Sequence, residues 1–417
     1  MVLKFLSPVH VGSGQELQKG IDYDFKDNSL FFIDQEKLFN ALVEKNESGL
    51  IEDYFNKCLS TNFFDLVTKL LKLDPNNFVH MNRSFFGEMK PTLKEFNRDG
   101  NGKYYIPGSS IKGAIKSIYF EKELQNNTAD DLINQIKLEP GKKPNKTRAA
   151  SKLMRVFSRT TRNPREASNF DLFRTLQFKD FELQDSDIGI IQNLILSLQF
   201  DKTLKEKETK ISYAQAVKPG SEIVIDKLYK LDKMLFKAGK MQNTLRFNAA
   251  LFNEQNFIEI VNSYAKKTIA SEIEFFNNHP HPEYKDKIIK FYNDLLNKLK
   301  NNKTKIIFRM SAGSGWKFMT GNITLATDRS SVINTIRRIY PLGKDRVDIF
   351  PKTRRIAVCE NGDVYPLGWV EVDYGTPNIN SVNNKEANKS IDVTQVKPKP
   401  IKETFIQKNS NRTYNQG

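Results

Sequence analysis

Cysteine is scarce: Cys58 and Cys359 stand far apart in 417 residues. They match neither the paired spacing of a zinc site nor a disulfide framework. A reducing, cytoplasmic setting is therefore expected. The opening stretch MVLKFLSPVHVGSG lacks the long apolar core of a secretory signal. No apolar run reaches the roughly 20 residues that span a bilayer. Ile188 to Phe200 comes nearest and is interrupted by Gln192, Asn193 and Gln199. No membrane association is expected. The Walker A pattern GxxxxGKS/T and the nucleophile elbow GxSxG are both missing. There is no solenoid period. His279 and His281 in NNHPHP have no clear cysteine or carboxylate partner, so they read as a rigid inter-helix loop. Asp22 and Asp24, which flank a strand, read as ordinary strand-end acids. Neither a metal nor a cofactor is expected.

Positive charge is abundant. Lys and Arg total 65 against 49 Asp and Glu, a formal net charge of +16. The excess favours polyanionic partners: nucleic acid, an anionic surface or an acidic protein.

Strands and helices are interspersed through the chain, with hairpins in place of repeated parallel crossovers, which predicts an α+β fold. A strand over Val2 to Leu6 leads into the loop SPVHVGSG. YDF and LFFID flank the turn DNS as a hairpin. Helical periodicity covers 35–45 and continues over 51–73. In YYIPGSSIKGAIKSIYFEKEL, Ser109 or Ser110 is placed to cap a helix that buries Ile111, Ile115 and Ile118. LFRTLQFKDF and IGIIQNLILSLQF read as strands, and ISYAQAVKPGSEIVIDKLY as two strands joined at Pro219 and Gly220. Residues 254–276 and 283–300 read as helices. KIIFRM reads as a strand entering SAGSG, and RRIAVCENGDVYPLGWVEV as a hairpin with an Asn-Gly turn. The last forty-odd residues are polar and aperiodic and read as a mobile tail.

The segment 141–165 carries nine basic residues and no acidic one. Arg148, Lys152, Arg155, Arg159 and Arg162 are spaced by four, three, four and three, which aligns them on one helical face. Such an alignment repels itself unless something negative faces it. A phosphate chain is the natural counterpart, because each neutralised phosphate also releases counterions. A solvated face or an acidic protein partner is the plainer alternative. Three glycine loops, 11–14, 107–113 and 311–316, can admit a phosphate backbone closely. In the second, the serine hydroxyls, the helix-start N–H groups and Lys112 face one anion. In the third, Trp316 offers a flat surface.

LSPVHVGSG, YYIPGSSIKGAIKS, DLFRTLQFKD, RMSAGSGW, FPKTRR and PLGWVEV occur in this order along nearly the whole chain. Together they resemble the RAMP superfamily and, within it, the fifth Csm subunits of type III-A CRISPR effector complexes. The resemblance implies two ferredoxin-like (RRM-like) domains with helical insertions. We expect these at 1–180 and 181–374, with a polar tail at 375–417. It implies a non-catalytic RNA-binding subunit beside the repeated RAMP backbone subunits, capping the 3′ end region of the crRNA and assisting its maturation. Host ribonucleases that trim the crRNA are expected as further partners. On matching positions it implies RNA-backbone contacts at Ser109, Ser110 and Lys112, with Lys116 one helical turn on. It also implies Gly313, Ser314, Gly315, Lys352, Arg354 and Arg355. Some RAMP proteins are metal-independent endoribonucleases that use histidine. His10 beside VGSG, able to move a 2′-OH proton near neutral pH, supplies the alternative reading of a crRNA-processing nuclease.

Overall fold

The structure is a computed structural model that describes residues 1–45, 49–84, 91–125, 128, 130–131, 134, 171–232, 252–300, 304–318, 330–339 and 349–375. The span Met1–Thr376 forms one compact unit. The basic stripe from Arg148 to Arg162, and residues 376–417 of the expected tail, lie outside the described residues.

Two sheets carry the architecture, and each draws strands from early and late parts of the chain. In the first, β1 (Val2–Phe5) lies between β13 (Glu222–Val224) and β18 (Trp369–Asp373), and β15 (Lys305–Arg309) pairs beyond β18. All three pairings are antiparallel. Leu3, Phe5, Ile306, Phe308, Val370 and Val372 face the main core, while Ile307 and Trp369 face a second cluster. Both faces are thus covered, which explains the nearly continuous apolar run of KIIF.

The second sheet runs β17 (Val364–Pro366), β16 (Thr353–Cys359), β10 (Ile188–Leu198), β12 (Ser212–Val217), β6 (Thr92–Phe96) and β2 (Gly12–Gln18), with β11 (Leu204–Glu206) on β10. Only β12 and β6 pair in parallel. One face is covered by two long helices, 254–278 and 285–300, whose Ile269, Phe276, Ile288 and Leu295 meet Leu194, Leu196, Ile356 and Val358. β1 with β13, and β6 with β12, pair across residue 180.

A third sheet, β3 (Tyr23–Lys26), β4 (Ser29–Ile33) and β5 (Val79–Ser84), carries a helical insertion. Asp27 and Asn28 hold φ of 48° and 58°, as a tight two-residue hairpin turn requires. Helices α1 (Gln35–Lys45), α2 (Leu50–Lys57) and α3 (Phe63–Leu66) follow, and a π-turn covers Val67–Leu71. The single periodic stretch expected over 51–73 is therefore broken. Asn62 caps a fresh start by accepting from the Phe64 N–H at 2.9 Å, and the Asp24 carboxylate accepts from the Phe63 N–H.

Helix α4 (Gly108–Gln125) buries Ile111, Ile115 and Ile118 as its spacing predicts. Ser109 and Ser110 lie inside its first turn rather than at its cap. The segment expected as one strand over LFRTLQFKDF instead begins as a 3-10 turn, Leu172–Thr175, because Asp171 accepts from the Phe173 N–H at 2.9 Å. Two short strands follow. β8 (Leu176–Gln177) pairs with β14 (Lys230–Leu231), and β9 (Phe181–Glu182) with β7 (Tyr105–Ile106). The long helices are α5 (Glu254–Asn278) and α6 (Lys285–Lys300), and α7 (Ser330–Ile339) sends Val332 and Ile333 into the main core. The result is the mixed α+β architecture that the pattern implied. Among the described residues no helix is long and apolar enough to cross a membrane.

Candidate nucleic-acid interface

The N-terminal loop and the SAGSG loop, almost three hundred residues apart in sequence, meet. The Ala312 N–H donates to the His10 carbonyl at 2.8 Å, and the His10 N–H donates to the Ser311 hydroxyl at 3.1 Å. On the other side, the Gly368 N–H donates to the Pro8 carbonyl at 2.8 Å and the Trp369 N–H to the Ser7 hydroxyl at 2.8 Å. Gly313 and Gly315 adopt φ of 77° and 92°, a region that side chains with a Cβ enter at a cost. Arg355 on β16 reaches this loop: its Nη1 stands 3.6 Å from the point where a Cβ on Gly313 would sit. Gly313 is exposed, while Ser314, Gly315 and Arg355 are half-buried. Two loops and one guanidinium thus converge from three remote segments.

His10 itself is buried, at 5% exposure, and its Nδ1 lies 2.7 Å from the Gln215 carbonyl oxygen. That contact fixes the ring as an Nδ1 donor. Burial lowers its pKa below the usual histidine value, with Lys94 adding to the effect against the opposing pull of the carbonyl. A neutral ring enclosed in this way fastens one loop to β12. Trp316 is half-buried edge-on to Phe350, centroids 4.6 Å apart, so its ring is engaged in packing.

The PGSSIKG segment interlocks with DLFRTLQFKD. The Gly108 N–H donates to the Asp180 carboxylate at 2.7 Å, so one free donor of the helix start is already taken. A Cβ at Gly108 would stand 2.5 Å from the Phe178 carbonyl oxygen. Lys116 is ion-paired with Asp171 and stands 5.6 Å from the Phe173 ring centroid. What faces outward is Ser109, with Ser110 and Lys112 half-buried. Burial lowers the Lys112 pKa, against the pull of Asp171.

In FPKTRR, Lys352 and Arg355 are half-buried, but Arg354 is inside the protein. Its Nε donates to both Glu272 oxygens at 3.0 and 2.8 Å, and its Nη1 donates to the Pro351 and Thr353 carbonyls, each at 3.0 Å. Its guanidinium also lies over Phe275, 3.5 Å from the ring centroid. All of this holds Arg354 away from an external ligand. Alternation along β16 explains it, since Arg354 and Arg355 must face opposite sides of the sheet.

Sequence reasoning missed the support of the glycine loop. Lys317, directly after SAGSGW, is 5% exposed and donates to Glu272 at 2.8 Å and to the Ser271 hydroxyl at 2.5 Å. Burial alone would raise the Glu272 pKa, but Arg354 and Lys317 together outweigh it and hold the carboxyl below its ordinary value. Glu272 thus ties the loop's end to β16. A signal existed: Glu272 falls on the buried stripe of α5 with Ala265, Thr268, Ile269, Phe275 and Phe276, where an acid requires a partner.

Among the described residues no group of three or more His, Cys, Asp or Glu side chains is placed to hold a metal ion. His279 contacts the Lys202 carbonyl at 3.3 Å, and His281 stacks on Tyr284 with centroids 4.4 Å apart.

The family model of the RAMP superfamily matches residues 2–318, and the chain belongs to that superfamily. Within it, the chain is similar to the CRISPR system Cms protein Csm5 of Methanocaldococcus jannaschii, with 23% identity over 395 residues covering 88% of this chain and 87% of that one. The Mycobacterium tuberculosis protein of the same name is 24% identical over 226 residues, 48% of this chain and 58% of that one. The fold is similar to the crystal structure of T. onnurineus Csm5, with a TM-score of 0.59, 17% identity, and coverage of 89% of this chain and 100% of that chain. It is also similar to a chain in the cryo-EM structure of a Csm-crRNA-target RNA ternary complex of a type III-A CRISPR-Cas system. There the TM-score is 0.63 and the identity 20%, with 88% of this chain and 98% of that one covered.

Proposed function

We propose that this protein is a non-catalytic RNA-binding subunit of a type III-A CRISPR ribonucleoprotein, seated at the 3′ end region of the crRNA and assisting its maturation in antiviral defence. The observation that carries the reading is the convergence of loop 6–11, which leads into β2 at Gly12, with the SAGSG loop and Arg355. Glycine-lined backbone N–H groups beside a guanidinium suit a phosphate backbone. Ser109, Ser110, Lys112 and Lys352 supply further contacts, and the stripe from Arg148 to Arg162 extends the electrostatic footprint. Similarity to Csm5 proteins supports crRNA and the neighbouring RAMP backbone subunits as partners. We read the two interleaved sheets as the superfamily's pair of ferredoxin-like units. Host ribonucleases would act on crRNA that projects beyond the cap.

The test is to purify the complex with and without this protein and measure crRNA length and subunit stoichiometry. The reading requires longer or heterogeneous crRNA, or an altered number of backbone subunits, when the protein is missing. Unchanged mature crRNA with unchanged stoichiometry sinks it. The 260/280 absorbance ratio of the purified particle reports whether RNA is carried at all.

A further inference from the structure

The helical insertion carries a groove that the RNA-binding role does not use. Helices α1 and α2 repeat one pattern: Glu36, Phe39 and Val43 on the first, and Glu52, Phe55 and Leu59 on the second and the turn just after it. Steps of three and four place each trio along one helical face. Phe39, Val43, Phe55 and Leu59 are 48%, 50%, 50% and 65% exposed, unusual values for side chains of this size. Phe39 and Phe55 both border a cavity of about 340 Å³ with Leu38, Leu42 and Tyr54. Tyr54 is 3% exposed, and its buried hydroxyl has no hydrogen-bond partner among the described residues. Two apolar rails flanking a cleft form the geometry that receives the apolar face of a helix.

Charge selects the occupant. Glu36 lines the cavity, and no cation does. Lys37 is paired with Asp34 at 3.0 Å and Lys57 with Asp53 at 3.7 Å, whereas Glu36 and Glu52 at the heads of the rails have no cationic partner among the described residues. A phosphate chain is repelled there. A second copy of the chain would bring like-charged rail heads together. A helix bearing Lys or Arg beside its apolar anchors satisfies both the rails and their acidic heads.

We propose that the α1–α2 groove docks an amphipathic helix of another protein chain, inserting apolar residues spaced three or four apart and presenting Lys or Arg to Glu36 and Glu52. The proposal rests on the ribonucleoprotein reading only for which chain supplies the helix.

The experiment places the photo-crosslinking residue p-benzoylphenylalanine at position 39 of the full-length protein, within the affinity-purified particle. The crosslinked peptide is then sequenced by mass spectrometry. The expected product is a peptide of a different protein, with two apolar residues at that spacing and a basic residue alongside. Phe55→Glu should lower the crosslink yield at least about tenfold, as for removal of an interface anchor. If Phe55→Glu shifts the unfolding midpoint, Leu59→Glu on the exposed turn serves in its place. Crosslinks to RNA, to a second copy of this chain or to a peptide lacking those features overturn the proposal, as does a yield that neither variant changes. RNA content is measured on the same particles. A particle that carries RNA but gives no crosslink overturns the groove alone; the expected crosslink without RNA overturns the ribonucleoprotein reading alone.

Discussion

The carbonyl of His10 accepts a hydrogen bond from the N–H of Ala312 at 2.8 Å, while the His10 ring sends its Nδ1 to the carbonyl of Gln215 at 2.7 Å. One residue therefore joins the N-terminal loop, the glycine loop and β12. Because burial depresses its pKa below the ordinary histidine value of about 6.5, the folded state holds the ring neutral while an unfolded chain would protonate it. The stability from His10 is present above that value and is lost as pH falls through the depressed folded pKa. Melting temperatures measured between about pH 5 and 8 should therefore show a smaller acid-side fall in His10→Gln than in the parent. An identical slope in both proteins would remove His10 as its source. If the ring is structural, RNA cleavage by the isolated protein, where detected, persists in His10→Ala.

Gly313 holds φ of 77° beside Arg355. Gly313→Val forces a β-branched side chain into a left-handed conformation at a cost on the order of 1–2 kcal/mol and places bulk at the proposed phosphate contact. Arg355→Glu reverses the adjacent charge without touching the backbone. Both variants should weaken RNA retention, measured by filter binding, by about tenfold or more, consistent with loss of one charge-assisted contact. Full retention in both would separate the loop from the RNA surface.

Much of this arrangement was legible in the sequence, and the reasons for the exceptions are physical. The helix over 35–45 and the hairpin around Asp27 and Asn28 follow from local periodicity and turn chemistry, so local reading suffices. The pairing of β1 with β13 and β18 depends on contacts between remote segments, which no local pattern encodes. In the interface, the glycine loops announce themselves by composition, but the roles of Arg354 and Arg355 diverge through strand alternation alone. Strand phase at β16 could be read only once Ile356 and Val358 were known to face α5 and α6. Asp180 shows another limit: a carboxylate that occupies the α4 start looks, in sequence, like any other acid after a strand.

Glu272 is the carboxylate shared by Lys317 and Arg354, all three being 5% exposed or less. Removing one partner of a buried ion pair leaves an uncompensated charge and costs roughly 3–5 kcal/mol. Glu272→Ala should therefore lower the unfolding midpoint by many degrees in calorimetry and loosen the glycine loop that Lys317 anchors. Arg354→Met, which removes a cation while Lys317 still answers Glu272, should cost less. Equal stability of Glu272→Ala and the parent would contradict the burial described.

Gly108 starts α4 against the Phe178 carbonyl, 2.5 Å from where a Cβ would stand. Backbone cannot yield there as a flexible side chain could, so Gly108→Ala should displace the helix start and break the 2.7 Å contact with Asp180. Amide hydrogen exchange across 108–112 should rise markedly, while Gly113→Ala, with open space around it, should leave exchange unchanged or slower because alanine favours helix. Equal protection in both variants would show that the close approach is relieved elsewhere.

The stripe from Arg148 to Arg162 makes the broadest claim about charge. If those cations neutralise phosphates, replacing Arg155 and Arg159 with Glu removes at least two contacts. For single-stranded RNA each contact contributes about 0.7 to the slope of log affinity against log salt. The double variant should therefore bind more weakly at low salt and show a slope flatter by roughly 1.4, with the difference vanishing as salt rises. An unchanged slope with weaker binding would mean that the substitutions disturb the fold rather than the contact. An unchanged slope with unchanged affinity would assign the stripe to solvent or to an acidic protein, and the net charge of +16 would then reach RNA through the glycine loops, Lys352 and Arg355.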